Sequence, residues 1–281
     1  MRKLSLLFGL IFLVGFVDAA FAMKIIPPRL VLDPDTKVEY LFIKNSGDTE
    51  EIYRFGWKHM AMDKEGNVIN VDRIGLENAP EGYQPLDDIV RFSPRRAVLK
   101  PGQTQRVTLV IQRSQQLEAG EYRSHFLVSR EPKVETKEDL EINENGEATP
   151  EVAVGISVSR AVPIYVLHGE TSAELNFLSA EVKRNTNKQK DHQPDHLVHF
   201  KVQKVGNRSV IGVARVFCTI AGEEVEISRV PKIFAVYAEG EFRNEVTAVD
   251  LPSQNCSSYR LDVKAHQNDL LSGQQLISAS F

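Results

Sequence analysis

The chain has 281 residues, 34 of them Lys or Arg and 38 Asp or Glu, for a formal net charge of −4. No basic domain or stripe stands out, which argues against a nucleic-acid binder. The two cysteines show no CxxC spacing, so neither redox nor metal chemistry has a motif, and the length suits two ordinary domains better than one core.

The sequence opens MRK, runs apolar over residues 4–17 and reaches Asp18-Ala19-Ala20-Phe21-Ala22 before Met23. A positive start, a short apolar run and a small-x-small pattern describe a secretory signal peptide, because a membrane span needs roughly 18 apolar residues. Residues 1–22 are therefore expected to be removed, with an uncleaved anchor as the alternative. Arg2, Lys3 and Asp18 carry +1 between them, so the chain from Met23 has a net charge of −5. No later stretch is apolar and long enough for membrane insertion.

From Lys24 onward the pattern is short strands separated by turns. Residues 38–44 alternate Val38, Tyr40, Phe42 against Glu39, Leu41, Ile43, and residues 52–59 place Tyr53, Phe55 and Trp57 on one parity, an aromatic face suited to a sandwich core. Residues 87–92 lead into Ser93-Pro94. Lys100-Pro101-Gly102-Gln103 has proline and glycine in the two central places of a type II turn, and residues 105–112 and 122–129 follow as strands. Residues 76–86 read as irregular. Strands this short and regularly spaced indicate an antiparallel β-sandwich.

Residues 131–150 are rich in Glu, Lys and Asn and read as an exposed, mobile loop, or else a short amphipathic hairpin. Immediately after it, Val152, Val154, Ile156 and Val158 recur at every second position and the same parity reaches Arg160, while Ala153, Gly155, Ser157 and Ser159 fill the other face. Such a row either faces the chain's own core or is offered to something else. His168-Gly169-Glu170 marks a boundary that divides residues 23–166 from a second, smaller β domain over residues 167–281. Strands are expected there at residues 175–182, 196–205, 210–221, 225–230, 234–237, 259–263 and 277–281. Cys218 and Cys256 most simply form one disulfide in an oxidising compartment, closing 38 residues and contributing about 3 to 4 kcal/mol; two free buried thiols are the alternative.

Taken in order, Pro28-Arg29-Leu30-Val31-Leu32-Asp33, Val90-Arg91-Phe92-Ser93-Pro94, residues 99–107 and Ser159-Arg160-Ala161-Val162-Pro163-Ile164-Tyr165 resemble the periplasmic pilus-assembly chaperones of the PapD-like family. The resemblance covers most of residues 24–166. It implies two immunoglobulin-like antiparallel β-sandwich domains set at an angle as a boomerang. It also implies a periplasmic chaperone that donates a β-strand to fimbrial or surface-fibre subunits, the subunit complex passing to an outer-membrane usher. On this resemblance Val152, Val154, Ile156 and Val158 are the donor row. Family members hold the subunit's C-terminal carboxylate with an arginine on the first strand and a lysine on the last. Arg29 matches the first. Val162 falls where the lysine belongs, and Arg160, two residues earlier and on the same face, is the cation that substitutes for it. The same alignment shifts the apolar row by one, leaving open which face meets a client. An exported structural or adhesive immunoglobulin-like module without strand donation is the alternative reading.

No enzyme is expected. There is no GxSxG elbow, phosphate-binding loop, GxGxxG or HExxH, and nothing apolar surrounds the carboxylates of residues 135–147 to split their pKa values. His192 and His196 are spaced i, i+4 in a polar insert with no third ligand indicated, so neither a metal nor any other cofactor is expected.

Overall fold

The computed structural model describes residues 23–112, 117–132, 157–186, 193–252 and 255–281. In chain order its first half gives β1 (Met23–Ile26), β2 (Leu30–Leu32), β3 (Val38–Asn45), β4 (Glu51–Lys58), β5 (Met60–Met62), β6 (Val68–Asn70), the helical turn α1 (Val71–Ile74), β7 (Val90–Ser93), β8 (Arg96–Leu99), β9 (Thr104–Ile111), β10 (Gly120–Arg130) and β11 (Ser159–His168). One sheet has the order β1-β3-β9-β7 and the other β2-β11-β10-β4-β8. Alternation makes them a sandwich: Leu41, Ile43, Val107 and Leu109 face inward from one sheet, Tyr53, Phe126, Val128 and Ile164 from the other, all fully buried.

The aromatic face expected on β4 is present. Tyr53 and Phe55 are buried, and the Trp57 ring stands edge-on to Phe92 at 5.3 Å and to Phe126 at 5.8 Å. Edge-on pairs of this kind add about 1 kcal/mol each beyond the area they bury. Between β8 and β9, Gly102 has φ +76° and the Gln103 N–H donates to the Lys100 carbonyl at 3.0 Å, the geometry of a type II turn.

β1 and β2, and again β7 and β8, are consecutive strands that belong to different sheets. β1 pairs with β3 while β2 pairs with β11, and β7 pairs with β9 while β8 pairs with β4. Pro27 and Pro28 sit at the first crossing and Pro94 at the second, and a residue without an N–H cannot continue the ladder it leaves. Residues 87–89, expected in a strand, form a turn instead, because the Leu86 carbonyl accepts from both Ile89 and Val90 N–H groups.

The second half gives β12 (Glu174–Arg184), β13 (His196–Val205), β14 (Val210–Ile220), β15 (Glu223–Glu226), β16 (Lys232–Val236), β17 (Phe242–Val249), β18 (Ser258–Ala265) and β19 (Gln275–Ser280). Its sheets run β12-β13-β17 and β15-β14-β18-β19, with β16 also on β14. Val198, Phe200, Val202, Val216, Leu261 and Val263 fill the space between them. Cys218 and Cys256 are joined by a disulfide. The fold is thus all-β, in two sandwiches whose strands pair antiparallel except β2 with β11.

β17 was not expected from the sequence, and its burial explains why. Its inward parity carries Glu245 and Thr247, 7% and 3% exposed, while Val246 faces out at 39%. Glu245 tolerates the interior because Lys232 and Arg243 both pair with it, at 2.9 and 2.6 Å.

Candidate functional site

β11 is held on both sides only in its C-terminal half. β10 pairs with it from Ser159 to His168, but β2 covers just Ile164, Tyr165 and Val166, in parallel register with Leu30, Val31 and Leu32. Because the chain leaves for the other sheet at Pro27, no described strand covers residues 159–163 on that side. The Arg130 N–H donates to the Val158 carbonyl, so residues 158, 160 and 162 turn their backbone groups toward β10. Ser159 and Ala161 then turn N–H and C=O toward the open side, and Pro163 only its C=O. Among the described residues this is a short, unpaired strand edge, a template for another strand.

Side chains alternate the other way. Val162, Ile164 and Val166 face the core, so Val158, 46% exposed, and Arg160 continue the core-facing row outward to the lip of the sandwich. Ser159 and Ala161 lie on the outer face. Val158 is the one member of the expected donor row among the described residues; Val152, Val154 and Ile156 lie outside them.

The two arginines separate. Arg160 reaches across the lip, its Nη1 donating to the Met23 carbonyl on β1 of the opposite sheet at 2.9 Å. Arg29 precedes the inward-facing Leu30 and therefore projects from the outer face, where its guanidinium carbon lies 4.0 Å from the centroid of the Tyr165 ring. Arg29 and Arg160, both expected at the subunit carboxylate, thus stand on opposite faces of the same sheet. Of the two, Arg29 combines a stacked guanidinium with no ion-pair partner among the described residues; its Nε is buried without a hydrogen bond, so its Nη groups are the donors suited to a carboxylate.

Tyr165 is itself fixed by the contact between the sandwiches. It lies opposite Arg123 of β10, and burial raises its phenol pKa well above the usual value. Arg123 donates through Nη2 to Glu239 Oε1 at 2.5 Å and to the Met60 carbonyl at 3.1 Å, and its guanidinium carbon lies 3.8 Å from the Tyr237 ring centroid. Glu121, two residues before it, accepts from the Ser209 N–H and hydroxyl at 2.7 and 2.5 Å. Burial pushes the Glu121 carboxyl upward, against the Arg123 charge and the Ser209 donors. The β5–β6 hairpin adds a second clasp: Met62 N–H donates to Glu239 Oε1 at 2.8 Å, Phe242 N–H to the Lys64 carbonyl at 2.7 Å, and Arg243 to the Gly66 carbonyl. Met62 belongs to the second sandwich's core. Gly240 makes room for it, since a Cβ there would lie 2.8 Å from the Met62 sulfur.

Next along the outer face is His125, opposite Pro163 and Lys58. Burial, with the Arg123 charge, lowers its pKa to about 4. His59 sits between two carboxylates, Nδ1 at 2.7 Å from Asp72 and Nε2 at 2.6 Å from Asp87, and these raise its pKa despite its burial. Sequence reasoning singled out neither these histidines nor Tyr165, Arg123, Glu121 and Glu239. Among the described residues no group of three potential metal ligands gathers, and no helix is long and apolar enough to cross a membrane.

No protein-family model matches the chain, and neither does any curated protein sequence. Solved fimbrial chaperones are similar to it in structure. The YadV chaperone is 10% identical at a TM-score of 0.47, covering 92% of this chain and 100% of that one. The class 5 fimbriae chaperone CfaA is 14% identical at 0.47, over 92% and 98%. The SafB chaperone structure from Salmonella enterica, in complex with the SafA pilin, is 12% identical at 0.43, over 93% and 96%.

Proposed function

We propose that this chain is an exported chaperone that binds fimbrial or surface-fibre subunits by strand addition at β11 and passes them to an outer-membrane usher. The observation that carries the reading is the half-open edge of β11 beside Arg29. Ser159 and Ala161 offer backbone donors and acceptors to an incoming strand, and Arg29, braced by Tyr165, offers a planar cation for a chain-terminal carboxylate. A subunit with an unfilled groove has an apolar cleft and an unpaired edge, both prone to aggregation, and an added strand covers both. The row Val152, Val154, Ile156 and Val158 supplies apolar side chains at strand spacing, each contributing roughly 1.5 kcal/mol or more on full burial. Arg160 keeps the lip of the sandwich closed through Met23 rather than binding the carboxylate.

Co-expression with candidate fimbrial or surface-fibre subunits tests this. A soluble one-to-one complex is expected with one of them. Arg29→Ala should abolish it with the chaperone still folded, and Ala161→Pro, which removes an N–H aimed at the open side, should weaken it. A complex indifferent to both changes would sink the proposal.

A further inference from the structure

The sheet on the opposite side of the first sandwich, β1-β3-β9-β7, carries a second surface. Its outward positions on β3 form an apolar spine of Val38, Tyr40 and Phe42, widened by Ile26 on β1 and Val110 on β9, each between 37% and 43% exposed. Four cations stand among them: Lys24 pairs with Lys44 across one end, Arg106 lies opposite Phe42 with its guanidinium 5.0 Å from the Tyr40 ring, and Arg91 lies opposite Val110. The remaining outward strand positions are threonine or serine, and none is a carboxylate. Among the described residues none of the four cations has an ion-pair partner. In a chain of net charge −4 this is a locally cationic, half-apolar face.

We infer that this face docks on an anionic lipid surface. β3 and β9 are paired on both sides, so these two central strands offer no free edge for β-augmentation, and the apolar groups are spread along three strands rather than gathered around one anchoring side chain. A bilayer surface requires neither. Tyr and Phe rings settle at headgroup depth, and Lys and Arg extend their aliphatic stems along the apolar spine while their charged ends reach lipid phosphates. The attraction is short-ranged, fading beyond about 8 Å at physiological salt, so the overall negative charge does not cancel it. This inference is independent of strand addition at β11.

Cosedimentation of the chain from Met23 with vesicles tests it. Binding is expected to vesicles of phosphatidylcholine containing phosphatidylglycerol at low salt, not to phosphatidylcholine alone, and should fall as NaCl is added. Lys44→Gln with Arg106→Gln should reduce partitioning on the order of tenfold, and Tyr40→Ser with Phe42→Ser should reduce it comparably. Lys24→Gln with Lys44→Gln, both at exposed positions, supplies a further pair should either double variant unfold. Failure to bind anionic vesicles at low salt, or binding unchanged in the folded variants, overturns the inference. So does capture of an acidic protein by this face without vesicle binding.

Discussion

Arg123 and Glu239 meet across the two sandwiches, Nη2 to Oε1 at 2.5 Å, with side chains only 2% and 1% exposed. Burial opposes the guanidinium charge, but the Glu239 and Glu121 carboxylates outweigh it and hold Arg123 protonated. Removing one partner strands the other, so Glu239→Ala should destabilise the protein by about 3 to 5 kcal/mol. Arg123→Met with Glu239→Leu, made together with Glu121→Gln because Glu121 also pairs with Arg123, should recover much of that loss. Urea unfolding of the two variants beside the unaltered protein checks this; a triple variant as unstable as Glu239→Ala would show that the pair contributes more than mutual neutralisation.

Two histidines place a stability maximum near their ordinary pKa of 6.5. His125 is depressed to about 4, so the folded state binds its proton less readily than the unfolded chain. Its contribution is complete above pH 6.5 and is lost as pH falls toward 4, at most about 3 kcal/mol. His59 is raised by the Asp87 hydrogen bond and by Asp72, so its contribution is complete below pH 6.5 and is lost as pH rises through the folded value. Denaturant midpoints across pH should show His125→Asn flattening the acid limb and His59→Gln the alkaline one. Limbs unchanged in both variants would contradict these assignments.

The Cys218–Cys256 disulfide closes a 38-residue separation within the second sandwich, and its removal should cost about 3 to 4 kcal/mol. Cys218→Ala with Cys256→Ala should therefore lower the melting temperature under non-reducing conditions, while client binding at β11 survives below the new transition. Loss of binding in the folded variant would tie the second sandwich directly to the client.

Tyr165 is expected to act on clients only through Arg29. Tyr165→Phe retains a ring face and should leave subunit affinity within about twofold, whereas Tyr165→Leu removes the surface on which the guanidinium rests and should weaken binding several-fold. Arg29→Lys keeps the charge but not the planar fork, and should also weaken it. Titrations with a purified subunit separate these outcomes; equal affinity for Tyr165→Leu and Tyr165→Phe would remove the stacking from the account.

The first sandwich was readable where side chains alternate cleanly. β3, β4 and β9 bury one parity, and the turn at residues 100–103 has a proline and a glycine that admit few other geometries. β17 was not readable because its inward parity is polar, with Glu245 neutralised by Lys232 of the preceding strand and by Arg243 two residues before it. The contact between the sandwiches was hidden for the same reason: Glu121 and Arg123 look like the solvent face of an ordinary strand until Ser209 and Glu239 arrive from the second half. Arg29 was legible as a candidate from its neighbours in sequence. Its separation from Arg160 depends on the parallel register of β2 with β11, which no local pattern encodes.

Pro163 lies where the open half of β11 meets the half covered by β2. Lacking an N–H toward the open side, it ends the useful edge there, so a docked strand can gain length only toward Ser159 and beyond. Each added residue extends it by about 3.3 Å from that fixed stop. On the proposed strand addition Pro163 would work as the zero mark of a ruler: a client whose terminal carboxylate reached Arg29 would have the register of its strand set by one missing hydrogen.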